Sequence, residues 1–353
     1  MIVVNYGSDI VKTTYDTLKA SDILTYLKPG FSAALKPNLV TARPSRDGAT
    51  THTEALEGII IFLREYGIKD IRIIESSQVG ESTARSYKNC GYEELSRKHK
   101  APLVDLKRDS TSKLRYKDSA LEVYNEALNT DFLINVPVLK GHSQTRMTCC
   151  MKNLKGCIPD SEKRRYHTLG IEKPVAALNA VLKTGYCVVD SVCGDLSFEE
   201  GGNPVEANRI IAGRDPVMVD SYCAQLIGYQ PDDIRHVALG REWGIGEFFT
   251  DKTTLIELNT ENKPLRETRS DLTTTRYKNL IEEDAACSAC YAALTYALHR
   301  LRGNAKVGGK IHIGQGFKGK GGDGFGVGAC CAGFSRCVPG CPPKAADIVE
   351  ALR

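Results

Sequence analysis

The order of apolar segments predicts an α/β protein: a mostly parallel or mixed sheet with helical cover, followed by a small C-terminal domain rich in cysteine and glycine. Three observations carry this reading. Short apolar runs alternate with helix-period segments in a β-α-β-α-β order over the first hundred residues, as expected for strands joined by covering helices. A polar stretch from Asn259 to Thr275 has few large apolar residues and reads as a boundary. Beyond it lie six of the thirteen cysteines, and residues 303–334 hold twelve glycines. The expected division is therefore an α/β domain at 1–262 and a tail domain at 263–353.

Residues 2–6 read as the first strand, because Met1-Ile2-Val3-Val4-Asn5-Tyr6 has neither the basic lead nor the cleavage site of a secretory leader. A helix is expected over 9–27, ended by Pro29-Gly30, then a strand from Phe31 to Leu35 running out into Lys36-Pro37-Asn38. Thr51–Tyr66 places Leu56, Ile59, Ile60 and Leu63 at helical spacing, and Gly67 stops it before the strand Asp70–Glu75. No GxGxxG follows the first strand, which argues against a dinucleotide fold.

Residues 81–98 read as helical, Leu103–Leu106 as a short strand and 107–121 as a polar loop or hairpin. Phe132–Val136 is a buried strand with Pro137 at its exit. Helix is expected for 144–155, 172–183, Val217–Ile227 and 231–242. Strands are expected at Tyr186–Val189, Ala207–Ile211 and Thr253–Leu258. The tail should open with a long helix over 276–302 and close with one over 343–352.

Composition narrows the function. An apolar fraction of 42% and a charged fraction of 25% fit a folded soluble chain. A net charge of +4 without an aromatic-interleaved basic stripe argues against nucleic acid. The apolar runs are too short for a membrane span. A cytoplasmic location is expected, where structural disulfides are rare. Cys90, Cys187, Cys193 and Cys223 read as small buried hydrophobes.

The tail cysteines need another cause. Cys287 and Cys290 are three apart at a helix start and face the same way. Cys341 precedes two prolines, and the fourth sulfur comes from Cys330, Cys331 or Cys337. Four thiolates joined through glycine-rich chain suit a [4Fe-4S] cluster, whose charge nearby backbone N–H groups would stabilise. Zinc, which four cysteines also hold, is the runner-up. Gly314-Gln-Gly-Phe-Lys-Gly-Lys320 imitates a phosphate loop but has Gly321 where a Ser or Thr should bind magnesium.

A second polar motif follows the 132–136 strand. Residues 140–165 hold seven Lys/Arg and two acids. Lys140 and His142 sit just past a strand's C-terminal end, where open α/β sheets bind ligands. Lys140, His142 and Lys155 are the candidate catalytic residues, orienting a small anionic ligand, with His142 and His167 able to carry protons. Glu75, Asp190, Asn203, Asp215 and Asp220 are further candidates for the crevice.

These residues also carry a resemblance. Lys36-Pro37-Asn38, Lys140-x-His142, Lys152-Asn153-x-Lys155-Gly156, Asp190 and Gly213-x-Asp215-Pro216-Val217 resemble a widespread bacterial and archaeal family of iron–sulfur-associated proteins described as a domain of unknown function. The ending Gly328-x-Cys330 with Pro339-Gly340-Cys341-Pro342-Pro343 is similar to the tail of some members, which favours Cys330 as fourth ligand. The resemblance implies a redox protein, although the compact CxxCxxCxxxCP run of ferredoxins is absent. A looser fold-level similarity is to lactate racemase. The leading expectation is an iron–sulfur oxidoreductase or electron-transfer protein with a redox protein partner, its cluster on Cys287, Cys290, Cys330 and Cys341. The alternatives are a non-redox isomerase-like or hydrolase-like enzyme with a structural metal knot, or a cluster-bearing subunit without its own substrate.

Overall fold

The computed structural model describes residues 1–259, 261 and 273–353, so the expected boundary between 262 and 263 lies outside the described residues. In chain order the first half comprises β1 (Ile2–Tyr6), α1 (Ile10–Lys19), β2 (Ser32–Pro37), α2 (Thr53–Glu65), β3 (Asp70–Glu75), α3 (Thr83–Asn89), α4 (Tyr92–His99) and β4 (Leu103–Asp105). A hairpin of β5 (Thr111–Tyr116) and β6 (Ser119–Tyr124) leads through α5 (Asn125–Leu128) to β7 (Phe132–Val136). A second hairpin, β8 (Lys140–His142) and β9 (Arg146–Thr148), precedes α6 (Cys150–Asn153), α7 (Asp160–Thr168) and α8 (Glu172–Val181). Then come β10 (Tyr186–Asp195), β11 (Pro204–Gly213), α9 (Pro216–Leu226), α10 (Arg235–Glu242) and β12 (Leu255–Leu258).

Eight of these strands form one sheet in the order β12-β1-β11-β10-β7-β2-β3-β4. Every neighbouring pair is parallel except the two that β11 makes, so β11 alone runs against the rest. Both faces are buried. Ala33 and Leu35 point into one core with Ile73, Ile134 and Val188, while Ala34 points into the other with Ile74, Leu133 and Val189. That two-sided burial is why the strands read as continuous apolar runs.

The tail holds β13 (Ile281–Glu283), α11 (Ser288–Arg300), β14 (Ile311–Ile313), β15 (Gly321–Val327), β16 (Gly333–Val338) and α12 (Ala345–Leu352). Its four strands make a separate parallel sheet in sequence order. Leu294, Leu298, Ile311, Ile313, Phe325, Val327 and Ile348 form a core of its own. The glycines there pack closely; a Cβ on Gly321 would lie 2.1 Å from the Gly333 carbonyl oxygen, so only glycine lets these strands pass.

Three helix expectations need correction. Residues 144–155 are not one helix: 140–148 form the β8–β9 hairpin, and only 150–153 are α-helical. The His142 imidazole causes the turn, its Nδ1 accepting from the N–H groups of Gln144 and Thr145 at 3.1 Å each. Residues 276–302 are α-helical only from 288, because Ala285 takes a left-handed φ of 55° and Cys287 is the extended N-cap. Residues 81–98 form two helices separated by Gly91 at φ 81°. No helix is long and apolar enough to cross a membrane among the described residues.

Candidate functional site

The tail cysteines meet around one cavity. Cys287 caps α11, Cys290 is in its first turn, Cys330 lies in the 3-10 turn Ala329–Cys331, and Cys341 follows β16. Backbone bonds from Gly328 N to Val338 O and from Ala329 N to Gly340 O, both 2.8 Å, hold the last two segments side by side. All four cysteines line a space of about 260 Å³ with Gly314, Gly328, Gly340, Arg164 and Lys318. Cys331 is fully buried and does not line it, and the Cys337 sulfur faces the Gly328 carbonyl at 3.7 Å. Burial pushes the Cys290 thiol up, and the neighbouring sulfurs of Cys287, Cys341 and Cys330 push it further. A bound cation would reverse both effects.

The sulfurs are spread. Among the described residues no three tail sulfurs lie within 4.8 Å of one another. One zinc ion at about 2.3 Å from each sulfur needs them closer than that. A cubane binds each thiolate at a different corner and sets them further apart. Four cysteines around one cavity are a donor set that a metal centre could use.

One group does meet that spacing: Cys149, Cys150 and Asp220, all buried, bring three atoms that could bind a metal within 4.8 Å of one another. Both Asp220 oxygens already accept backbone N–H groups, from Cys150 at 2.7 Å and Met151 at 3.0 Å. Asp220 is thus the cap of α6.

A second cavity of about 90 Å³ lies at the C-terminal ends of β2 and β3, where an open sheet leaves a crevice. That is room for more than one water, or for one compact molecule. Lys36, Lys152, Lys155 and Lys163 line it, with Glu75, Glu199, Thr148 and His167. Three of the lysines are matched by the chain. Lys36 Nζ is 2.7 Å from Glu75 Oε2. Lys152 Nζ is 3.2 Å from Glu199 Oε1. Lys163 Nζ donates to Ser76 O and Ser77 O and lies 3.2 Å from Asp160.

Lys155 is different. Among the described residues its Nζ has no carboxylate within salt-bridge reach, and it lies 3.3 Å from His167 Nε2. Burial, with the positive charge of Lys152 added, brings its pKa down to about 7. Burial and Lys155 likewise keep His167 well below its usual range, so the ring is neutral. The Thr148 hydroxyl, buried in the same wall, has no hydrogen-bond partner among the described residues. An ammonium and an unused hydroxyl facing a small cavity are donors waiting for an acceptor.

The three expected catalytic residues are not brought together. Lys155 is on the cavity; Lys140 and His142 stand behind it. Lys140 Nζ donates to Asn38 Oδ1, Ala49 O and Glu199 O at 3.3, 2.8 and 2.9 Å, a complete set for an ammonium. His142 Nε2 is 2.9 Å from Glu199 Oε2, and burial lowers its pKa to about 4. Burial works against the Glu199 carboxylate, but His142 and Lys152 hold it well below the usual range. Asp190 is occupied by His52, at 2.8 Å from its Nδ1, and Asp215 caps α9. Asn203 donates its backbone N–H to Asp195. Glu199, Lys163 and Ser288 were missed; none stands in a sequence motif that announces it.

Cys287 lines both cavities, and Ser288 and Ala289 extend the lysine cavity onto α11. The seam is fixed by polar contacts. Gln144 Nε2 donates to Glu283 Oε1 and Ala286 O at 2.6 and 2.9 Å, and Gln315 Nε2 donates to Arg164 O at 2.9 Å. Ser288 Oγ is 3.3 Å from His167 Nε2, linking α11 to Lys155 through one imidazole.

Fold and site together define an α/β protein with a buried lysine cavity, abutted by a four-cysteine tail. The chain belongs to the family described as domain of unknown function DUF362, whose profile matches residues 33–225. That span includes every lysine of the small cavity and ends before the tail cysteines. A thylakoid-associated protein of Synechocystis is 26% identical over 228 residues, 62% of this chain and 70% of its own length. Among solved structures, the lactate racemase apoprotein of Thermoanaerobacterium thermosaccharolyticum aligns with a TM-score of 0.43 at 10% identity, over 64% of this chain and 57% of its own. A protein of Thermotoga maritima aligns at 0.41 and 10%, over 62% and 60%. The chain thus spans under two thirds of these solved chains.

Proposed function

We propose that this protein is an iron–sulfur oxidoreductase that reduces a small anionic compound held in the lysine cavity. The observation that carries the reading is that Cys287 borders both the four-cysteine cavity and the lysine cavity. Cys287, Cys290, Cys330 and Cys341 would hold a [4Fe-4S] cluster, which when bound supplies one-electron transfer. The chain's own residues do the rest. Lys155 and Thr148 bind the anion by donating to it, and Lys152, already neutralised by Glu199, adds a directed N–H. Lys155, with its pKa near neutrality, can also release a proton at its Nζ to the bound compound, and the neutral His167 ring beside it would orient that amine. Lys140 and His142 act one step removed, fixing Glu199 and its backbone.

The experiment is anaerobic purification with metal analysis and paramagnetic resonance of the reduced sample, on the native chain and on Cys341→Ser. About four irons per chain, lost in the variant with the fold retained, support the reading. A colourless protein loaded with zinc overturns it. Iron with a variant that unfolds would favour a structural knot beside a non-redox enzyme.

A further inference from the structure

We propose that the basic rim of the tail cavity is the docking face for an acidic one-electron carrier protein; this rests on the iron–sulfur reading above. From His299 to the C-terminus the chain carries nine Lys/Arg against three acids, Asp323, Asp347 and Glu350. That excess of six is larger than the +4 of the whole chain, so the remainder is slightly acidic. The nine cations are exposed. Two cations stand where an electron would enter: Arg164 and Lys318 line the cysteine cavity, and no carboxylate does among the described residues. Cys341 is the exposed cysteine of the four, and exposed Lys344 follows it by three residues. Lys320, whose side chain is 65% exposed, has Asp284 at 3.6 Å as its one ion-pair partner among the described residues.

The surface suits a transient protein encounter better than a membrane. The exposed large hydrophobic residues among those described are Leu24, Ile61, Tyr66, Leu169 and Leu255, all outside the tail, so the rim offers no apolar wedge for a bilayer. Gly314, Gly328 and Gly340 line the cavity, so a partner surface meets little side-chain bulk there. Electron-transfer encounters are small and polar, and opposite charge speeds them. The exchange moves one electron: the carrier's reduced centre is oxidised by one, the tail centre is reduced by one, and no covalent bond changes.

The test uses the full chain, purified without oxygen and assayed first for iron. A reduced acidic plant-type ferredoxin is mixed with it, and bleaching of the tail chromophore is followed at ionic strengths from about 0.01 to about 0.3 M. The expected result is a rate falling about tenfold over that range. Lys320→Glu with Lys344→Glu should lower the low-salt rate by about tenfold while iron content and reduction by dithionite stay unchanged. Salt-independent reduction, or a double variant as fast as the native chain, overturns the docking face while leaving the iron–sulfur reading intact. An iron-free protein defeats that reading instead. The face is then judged by binding of oxidised ferredoxin alone: salt-sensitive binding lost in the double variant supports it, and its absence overturns it. Preferential binding to phosphatidylserine vesicles over ferredoxin also overturns it.

Discussion

Lys155 Nζ lies 3.3 Å from His167 Nε2, and among the described residues neither side chain forms an ion pair with a carboxylate. The unfolded chain leaves such a lysine near its ordinary value of about 10.4, while burial brings it to about 7 in the fold. Between the two values the unfolded state binds more protons, so stability rises with pH across that window. The cost of the buried ammonium is complete below the lower value. Lys155→Met should therefore be more stable than the native chain by about 2 kcal/mol near pH 6, with part of the linkage screened by solvent. The gap should close toward pH 10. Urea titrations at several pH values check this, and a gap that ignores pH sinks it.

The same amine sets a binding prediction. A small anion of fixed charge, such as sulfate, pairs with the protonated form of Lys155. Its affinity should be flat below pH 7 and fall about tenfold for each further pH unit. Lys155→Met should abolish the dependence, and Thr148→Val should weaken binding without moving the pH profile. Isothermal titration of the native chain and both variants measures it. Tight binding that Lys155→Met leaves unchanged would place the anion elsewhere.

Cys330 and Cys331 are adjacent, yet they part company: one lines the cavity, the other is wholly buried in the fold. Cys330→Ala should lose most of the iron. Cys331→Ala should keep it and lose about 1 kcal/mol of packing, and Cys337→Ala should keep it too. Iron per chain, with thermal melting of each variant, separates these outcomes.

How much of this was legible in the sequence depends on distance along the chain. The strands at 70–75 and 132–136 were readable because local apolar runs decide them. The β8–β9 hairpin was not, because its turn is made by the His142 side chain taking backbone donors that a helix would have used. The glycine-rich tail concealed three strands, since β15 and β16 pair through backbone where side chains are absent. Lys155 was visible within a basic motif. Glu199 was not: it meets Lys152 across 47 residues, and only the folded loop brings them together. Lys140 and His142 stood out for the same reason as Lys155, and composition alone could not say which would face the cavity.

The Lys36–Glu75 pair lies in the wall of that cavity, with both residues essentially closed to solvent. Glu75 also accepts from Leu39 N at 3.1 Å and from Ser76 N at 2.7 Å, so its carboxylate ties β2, β3 and the loop between them to one point. Gly156 approaches so closely that a Cβ there would sit 2.1 Å from Glu75 Oε1 and 2.4 Å from Lys36 Nζ. Removing one charge leaves the other buried and unmatched. Glu75→Gln should therefore cost about 3–5 kcal/mol. Gly156→Ala keeps both charges and instead forces them apart, so it should cost about 1–3 kcal/mol. The double variant tests whether the two act on the same contact. Once the charge pair is broken, the added methyl has less to displace, and the combined loss should fall short of the sum of the single losses. Losses that simply add would mean that Gly156 is constrained by something other than this pair.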